Sequence, residues 1–191
     1  MAIKENAKSN VLLNTISVLR TSQIFWILSF SLLTVIGAQV AIPVNPVPFT
    51  LQTMIVLLAG ALLGPKNGAY SQLIYLAAGA IGLPVFAGGT LGIGILFGTT
   101  GGYLLAFPLG AFLTGYLVQK YKSYIGVILS MIAGNLLIIF TGTLFLFTFY
   151  LKNLEEAIIA GAAIFTFWMA LKIFAAATIY FGISKKNETL P

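Results

Sequence analysis

Lys172 is the residue whose type and position point most directly to chemistry, because it lies inside the apolar segment at residues 164–183. It is 11 residues from the end of that segment, roughly 16 Å along a helix. A charge at this depth in a bilayer costs at least about 2.5 kcal/mol and therefore needs a partner. Backbone carbonyls, hydroxyls or a neutral amine are alternatives. We favour an anionic ligand, such as a small-molecule carboxylate, as the partner of this lysine.

The composition gives little support to catalytic or metal-binding chemistry. The chain has no histidine and no cysteine, and its four acidic residues lie outside the apolar segments, at Glu5, Glu155, Glu156 and Glu188. These counts exclude Cys/His metal sites, thiol nucleophiles and Ser-His-Asp triads. We therefore predict no catalytic residue, no metal site and no cofactor. The net charge of +6 comes from single, dispersed basic residues, which argues against a nucleic-acid partner.

The hydrophobicity of the chain indicates that lipid surrounds it. Of its 191 residues, 59% are hydrophobic and 7% are charged, whereas a soluble domain carries about 25% charged residues. We predict an all-α integral membrane protein with six transmembrane helices. Breaks containing proline, glycine or lysine place these helices at residues 23–42, 49–63, 68–83, 102–118, 124–150 and 157–183.

The distribution of basic residues predicts the orientation. Six spans place both termini, the second loop and the fourth loop on one side, which holds eight basic residues against one, Lys152, on the other. Because basic loops stay in the cytoplasm, we expect both termini there, in a multi-pass protein of the cell membrane. The predicted organisation is a cytoplasmic segment at 1–22, a six-helix substrate-binding domain at 23–183 and a cytoplasmic tail at 184–191.

The segment from Gly82 to Tyr103 contains eight glycines among 22 residues and lies on the predicted outer side. Non-helical backbone at membrane depth persists only where it is buried in protein or lines a cavity. We therefore predict that this segment and the proline-rich segment 43–52 cover a ligand pocket with Lys172 at its base. For any single glycine, a simple turn or tight helix contact is the favoured alternative. The candidate binding residues in these segments are Phe49, Gln52, Phe86, Gly88, Gly89, Thr90 and Tyr103.

Four blocks of sequence together resemble the BioY family of biotin-binding S-components of energy-coupling factor transporters. The blocks are VPFTLQT (47–53), LLAGALLGPKNGA (57–69), GLPVFAGG (82–89) and GTTGGYLLAF (98–107). The resemblance implies a six-helix membrane subunit that binds biotin from outside with high affinity. It also implies separate energising partners, a transmembrane T-component and two ATPase subunits.

The same resemblance suggests roles for single residues. Lys172 is expected to meet the carboxylate of biotin, while Met169 occupies the place of the aspartate in the family's Pro-Gly-Asp-x-x-Lys pattern. Because Met169 is not an acid, the alternatives are a related ligand or a different polar partner such as Asn135. Small residues on the first helix are expected to face the T-component, since small side chains allow close helix packing. They are Ser29, Gly37 and Ala41.

Two other functions compete with that of a binding subunit. A solitary secondary transporter for biotin or a related small carboxylate would couple uptake to protons or sodium. Proton relays usually employ intramembrane Asp, Glu or His, which the predicted spans lack. A membrane enzyme is disfavoured because the same catalytic side chains are missing.

Overall fold

A computed structural model describes residues 22–163 and 166–184, with the side chains of residues 166 and 167 excepted. The described chain is almost entirely helical. Its helices are α1 (Gln23–Gln39), α2 (Gln52–Ala80), α3 (Gly101–Lys120), α4 (Tyr124–Leu146), α5 (Leu154–Gly161) and α6 (Thr166–Ser184). Two short antiparallel strands, β1 (Ala41–Ile42) and β2 (Phe49–Thr50), flank the proline-rich loop. Of the predicted tails at 1–22 and 184–191, residues 1–21 and 185–191 lie outside the described residues.

The second and third predicted spans are the two arms of α2, which bends sharply at Gly64. Gly64 has φ +79° and ψ 177° inside the helix, and Pro65 follows it. Proline lacks the N–H that would continue the helical hydrogen bonds, and a positive φ is readily adopted by glycine. Lys66 is exposed next to the bend. The bend therefore takes the place of the predicted polar turn between separate helices.

The last predicted span, residues 157–183, is not one continuous helix. α4 passes into a π-helical turn at Phe147–Leu151, and the short helix α5 begins after Asn153. The Asn153 side chain caps α5 by accepting a hydrogen bond from the Glu155 N–H at 3.0 Å. α5 ends at Gly161, and α6, which carries Lys172, begins at Thr166. The prediction of a single helix here was wrong.

Close helix contacts hold α2, α3 and α4 together. A Cβ at Gly115 of α3 would lie 2.6 Å from the Gly60 carbonyl oxygen and 2.6 Å from the Pro65 nitrogen. The helices can approach this closely because glycine lacks a side chain. On the other flank of α2, Thr34 of α1 and Gln72 share hydrogen bonds of 3.2–3.3 Å, and both side chains are fully buried.

The outward faces of the helices are apolar. On α1, Leu28, Leu32 and Ile36 lie one turn apart and are 50%, 61% and 54% exposed. Two of the described helices, Gly101–Lys120 and the stretch Tyr124–Leu151, are long and apolar enough to cross a membrane by length and composition. The shorter apolar helices are Gln23–Gln39 and Trp168–Ser184. These faces are suited to contact with lipid rather than water.

Candidate functional site

A cavity of about 270 Å³ lies between the proline-rich loop, the glycine-rich segment and helices α2, α3, α4 and α6. Six of the nine predicted binding residues line it: Gln52, Phe86, Thr90, Tyr103, Asn135 and Lys172. The chain thus brings together residues that are up to 120 positions apart in sequence (Gln52 and Lys172). Whether these residues bind a ligand stays a prediction.

Lys172 provides the positive charge of the cavity. Within the part of the chain that the structure describes, it is the single charged side chain in the lining. Its Nζ donates hydrogen bonds to Thr53 Oγ1 at 2.7 Å and to the Thr50 carbonyl oxygen at 3.1 Å. These neutral partners match the hydroxyl and carbonyl alternatives considered above, and they leave the charge itself unneutralised.

Gln52 anchors a buried hydrogen-bond network next to this lysine. Its Nε2 donates to Tyr75 Oη at 2.6 Å, and its Oε1 accepts from Thr50 Oγ1 at 2.8 Å. The Tyr75 hydroxyl donates in turn to the Val85 carbonyl oxygen at 3.4 Å. Buried polar groups are costly without partners, so this network holds the Gln52 side chain and Thr50 in place. It thereby also positions the Thr50 carbonyl oxygen, which accepts a hydrogen bond from Lys172.

Aromatic and aliphatic side chains form the remaining wall. Phe86 is 1% exposed, and its ring forms a T-shaped contact with the Tyr75 ring, with centroids 5.6 Å apart. Tyr103 lines the cavity with its ring, and its hydroxyl donates to the Gly161 carbonyl oxygen at 2.8 Å. Phe107 and Ile138 complete the buried apolar surface. The wall suits a ligand with an apolar body.

Three predicted binding residues lie outside the cavity lining. Gly88 and Gly89 adopt φ of +68° and +70° in the turn at residues 86–90, a backbone conformation that favours glycine. Phe49 is 8% exposed and packs against Trp168, with ring centroids 6.0 Å apart. These three residues lie outside the lining, and whether they contact a ligand stays a prediction.

Two of the three small residues predicted to face a partner do not lie on an exposed face of α1, and the partner contact itself stays a prediction. Gly37 is buried against α2, where a Cβ would lie 2.5 Å from Ile55 Cδ1. Ala41 follows the helix, in β1. Ser29 is half-buried, and its hydroxyl donates to the Phe25 carbonyl oxygen at 2.7 Å. Gly37 thus serves packing within the chain.

Sequence reasoning missed Thr53, the nearest partner of Lys172. A signal was present, because Thr50, Gln52 and Thr53 are polar residues grouped at the beginning of an otherwise apolar segment. Met169 also lines the cavity, three residues before Lys172 on α6. Its thioether offers a weak acceptor at most.

The assembled site can bind an amphipathic anion. Its lining contains the Lys172 ammonium, threonine hydroxyls and the amides of Gln52 and Asn135, and most of its other residues are apolar. Among residues 22–163 and 166–184, no group of three or more His, Asp, Glu or Cys side chains could hold a metal ion. The donor set therefore favours recognition of an organic anion by hydrogen bonds and charge.

Comparison with known proteins extends these observations. The profile of the BioY family matches residues 7–189. A biotin transporter BioY of Thermotoga maritima is 41% identical over 156 residues, covering 82% of this chain and 92% of the relative. The biotin transporter BioY2 of Lactococcus lactis is 40% identical over 149 residues, covering 77% and 80% respectively.

A solved structure agrees with the fold. The crystal structure of the S-component for biotin from an ECF-type ABC transporter superposes with a TM-score of 0.82 at 28% identity, covering 88% of this chain and 93% of the other. The match confirms the prediction of an all-α membrane fold, and the profile confirms the resemblance seen in the sequence blocks. The chain belongs to the BioY family.

Proposed function

We propose that this chain is a high-affinity biotin-binding membrane subunit for vitamin uptake. The observation that carries the proposal is a partly enclosed cavity with an apolar wall and one lysine, whose ammonium has neutral partners within the described chain. The two relatives above are named as biotin transporters, and the structural neighbour is an S-component for biotin. In this role the chain binds and delivers its ligand and is not an enzyme.

Biotin presents groups that the cavity complements. Its carboxylate pairs with Lys172, and its fused rings pack on Phe86, Tyr103 and Phe107. The ureido group needs both donors and acceptors, which the amide of Asn135 supplies. Because Met169 provides no carboxylate, the ureido N–H groups rely on neutral acceptors in this chain. Neutral hydrogen bonds are weaker than charge-assisted ones.

The proposal assigns energy coupling to other proteins. A transmembrane T-component and two ATPase subunits drive transport, and the chain lies in the cell membrane as a multi-pass subunit with both termini in the cytoplasm. The positive-inside distribution of basic residues supports this orientation. The proline-rich and glycine-rich segments then face outward, where the cavity receives biotin.

Equilibrium binding of biotin to the purified chain tests the proposal. We expect wild-type protein to bind biotin and Lys172→Ala to weaken binding more than tenfold, about 1.4 kcal/mol. Lys66→Ala is the matched control, because Lys66 is exposed at the bend of α2. Unchanged affinity in Lys172→Ala would remove the lysine from the site, and failure of the wild type to bind would reject biotin as the ligand.

Uptake by vesicles distinguishes a binding subunit from a solitary secondary transporter. We expect vesicles that hold this chain without any ATPase partner to bind biotin but not to accumulate it. Accumulation that an uncoupler abolishes would favour the secondary transporter.

A further inference from the structure

Gln39, the last residue of α1, connects that helix to the turn at residues 86–90. Its Nε2 donates to the Phe86 carbonyl oxygen at 3.1 Å, and its Oε1 accepts from the Gly89 N–H at 3.1 Å. One carboxamide thus engages a backbone donor and a backbone acceptor of the same turn, 47 and 50 residues further along the chain. Such paired bonds fix orientation as well as distance.

The turn that Gln39 engages forms part of the cavity wall. Phe86 and Thr90 both line the cavity, and the Phe86 N–H donates to the Thr90 carbonyl oxygen at 3.1 Å. Gly88 and Gly89 between them are exposed, with no atom within 4 Å of a Cβ placed on either. Little packing therefore holds the outer part of this turn, and hydrogen bonds must define its position.

The helix that carries Gln39 is itself firmly held. Thr34 and Gln72 form a buried polar contact between α1 and α2, and Gly37 packs tightly on Ile55. Gln39 lies less than two helical turns beyond Thr34. A well-packed helix can therefore serve as the support against which the turn is positioned.

We propose that Gln39 is a positioning residue for ligand capture, which holds the turn at residues 86–90 in its place over the cavity. The inference rests on the proposed function, since it concerns the same cavity. Without the carboxamide, the turn moves outward more often, and a bound ligand escapes faster.

Three variants in purified full-length protein test this role through biotin dissociation and through hydrogen exchange at the Gly89 amide. Gln39→Leu removes both hydrogen bonds, and we expect dissociation about tenfold faster. Gln39→Glu keeps an acceptor for Gly89 but loses the donor to Phe86, so we expect a smaller increase, about threefold. Gln23→Leu, at the exposed opposite end of α1, is the control and should match the wild type.

The exchange measurement needs no ligand and reports on the turn alone. The Gly89 N–H also bonds the Phe86 carbonyl oxygen at 3.0 Å, so we expect several-fold faster exchange in Gln39→Leu, without loss of protection in α2 or α3. Unchanged dissociation in Gln39→Leu would overturn the inference, as would faster exchange throughout the chain. If wild type and Gln23→Leu fail to bind biotin, the proposed function is at fault and this inference falls with it.

Discussion

Glycines serve opposite purposes in the packed helices and in the glycine-rich segment. Gly115 has no space for a side chain, because backbone atoms of α2 surround it. A Cβ placed on Gly88 would have no atom within 4 Å, but Gly88 has a φ of +68°, which side-chain-bearing residues rarely adopt. Packing constrains the first glycine, and backbone conformation constrains the second. We infer that the packed helices provide stability, while the glycine-rich segment shapes the binding cavity.

The largest effect on stability is expected for a substitution in the packed helices. In Gly115→Ala, the new methyl group would lie 2.6 Å from backbone atoms of Gly60 and Pro65. We expect the free energy of unfolding to fall by about 3 kcal/mol, because neither backbone can move without disturbing α2. Thermal unfolding in detergent measures the change, and biotin affinity of the folded fraction should remain unchanged.

Gly182→Ala is the control for that experiment. It places the same methyl group on α6, where no atom lies within 4 Å of it. The free energy of unfolding should therefore stay the same or rise slightly. If Gly115→Ala were as stable as this control, the close contact between α2 and α3 would not be important for stability.

A smaller effect on stability, with a clearer effect on binding, is expected in the glycine-rich segment. Gly88→Ala introduces no collision but forces alanine into the left-handed region, at a cost of about 1 kcal/mol. The turn can relieve this strain by shifting, so we expect biotin affinity to fall several-fold. Calorimetric titration measures the loss.

Gly94→Ala tests whether conformation is the cause. Gly94 lies in the same segment, with open space around it and without a positive φ, so this variant should bind biotin normally. Equal losses in both variants would show that the segment is sensitive to any substitution, and the contrast between the two kinds of glycine would fail.

The sequence predicted most helices because charge and turn residues mark their ends. The predicted span 102–118 lies within α3, and the span from residue 124 begins where α4 begins, after the Ser123 cap. The break between α5 and α6 has only a weak signal, the single glycine Gly161, since residues 157–165 are uncharged and contain no proline. Its position coincides with a distant contact, the hydrogen bond from Tyr103 to the Gly161 carbonyl oxygen, which the local sequence does not reveal.

The site was predictable where a residue type conflicts with its surroundings. Lys172 stands out in an apolar segment, and its position at the cavity agrees with expectation. Thr53 gives a weaker signal, because a helical threonine can bond its own backbone, as Thr34 does to the Phe30 carbonyl oxygen at 2.8 Å. The positive φ of Gly88 and Gly89 was not evident from the sequence, since composition cannot separate a conformational need from ligand contact.

A double-mutant cycle between Lys172 and the ligand carboxylate tests the central claim most directly. Wild type and Lys172→Ala are each titrated with biotin and with the biotin alcohol, which lacks the carboxylate. If the ammonium pairs with the carboxylate, the variant loses more than tenfold affinity for biotin and little for the alcohol, a coupling of about 1.4 kcal/mol or more. Equal losses for the two ligands would contradict the account, because Lys172 would then not recognise the negative charge.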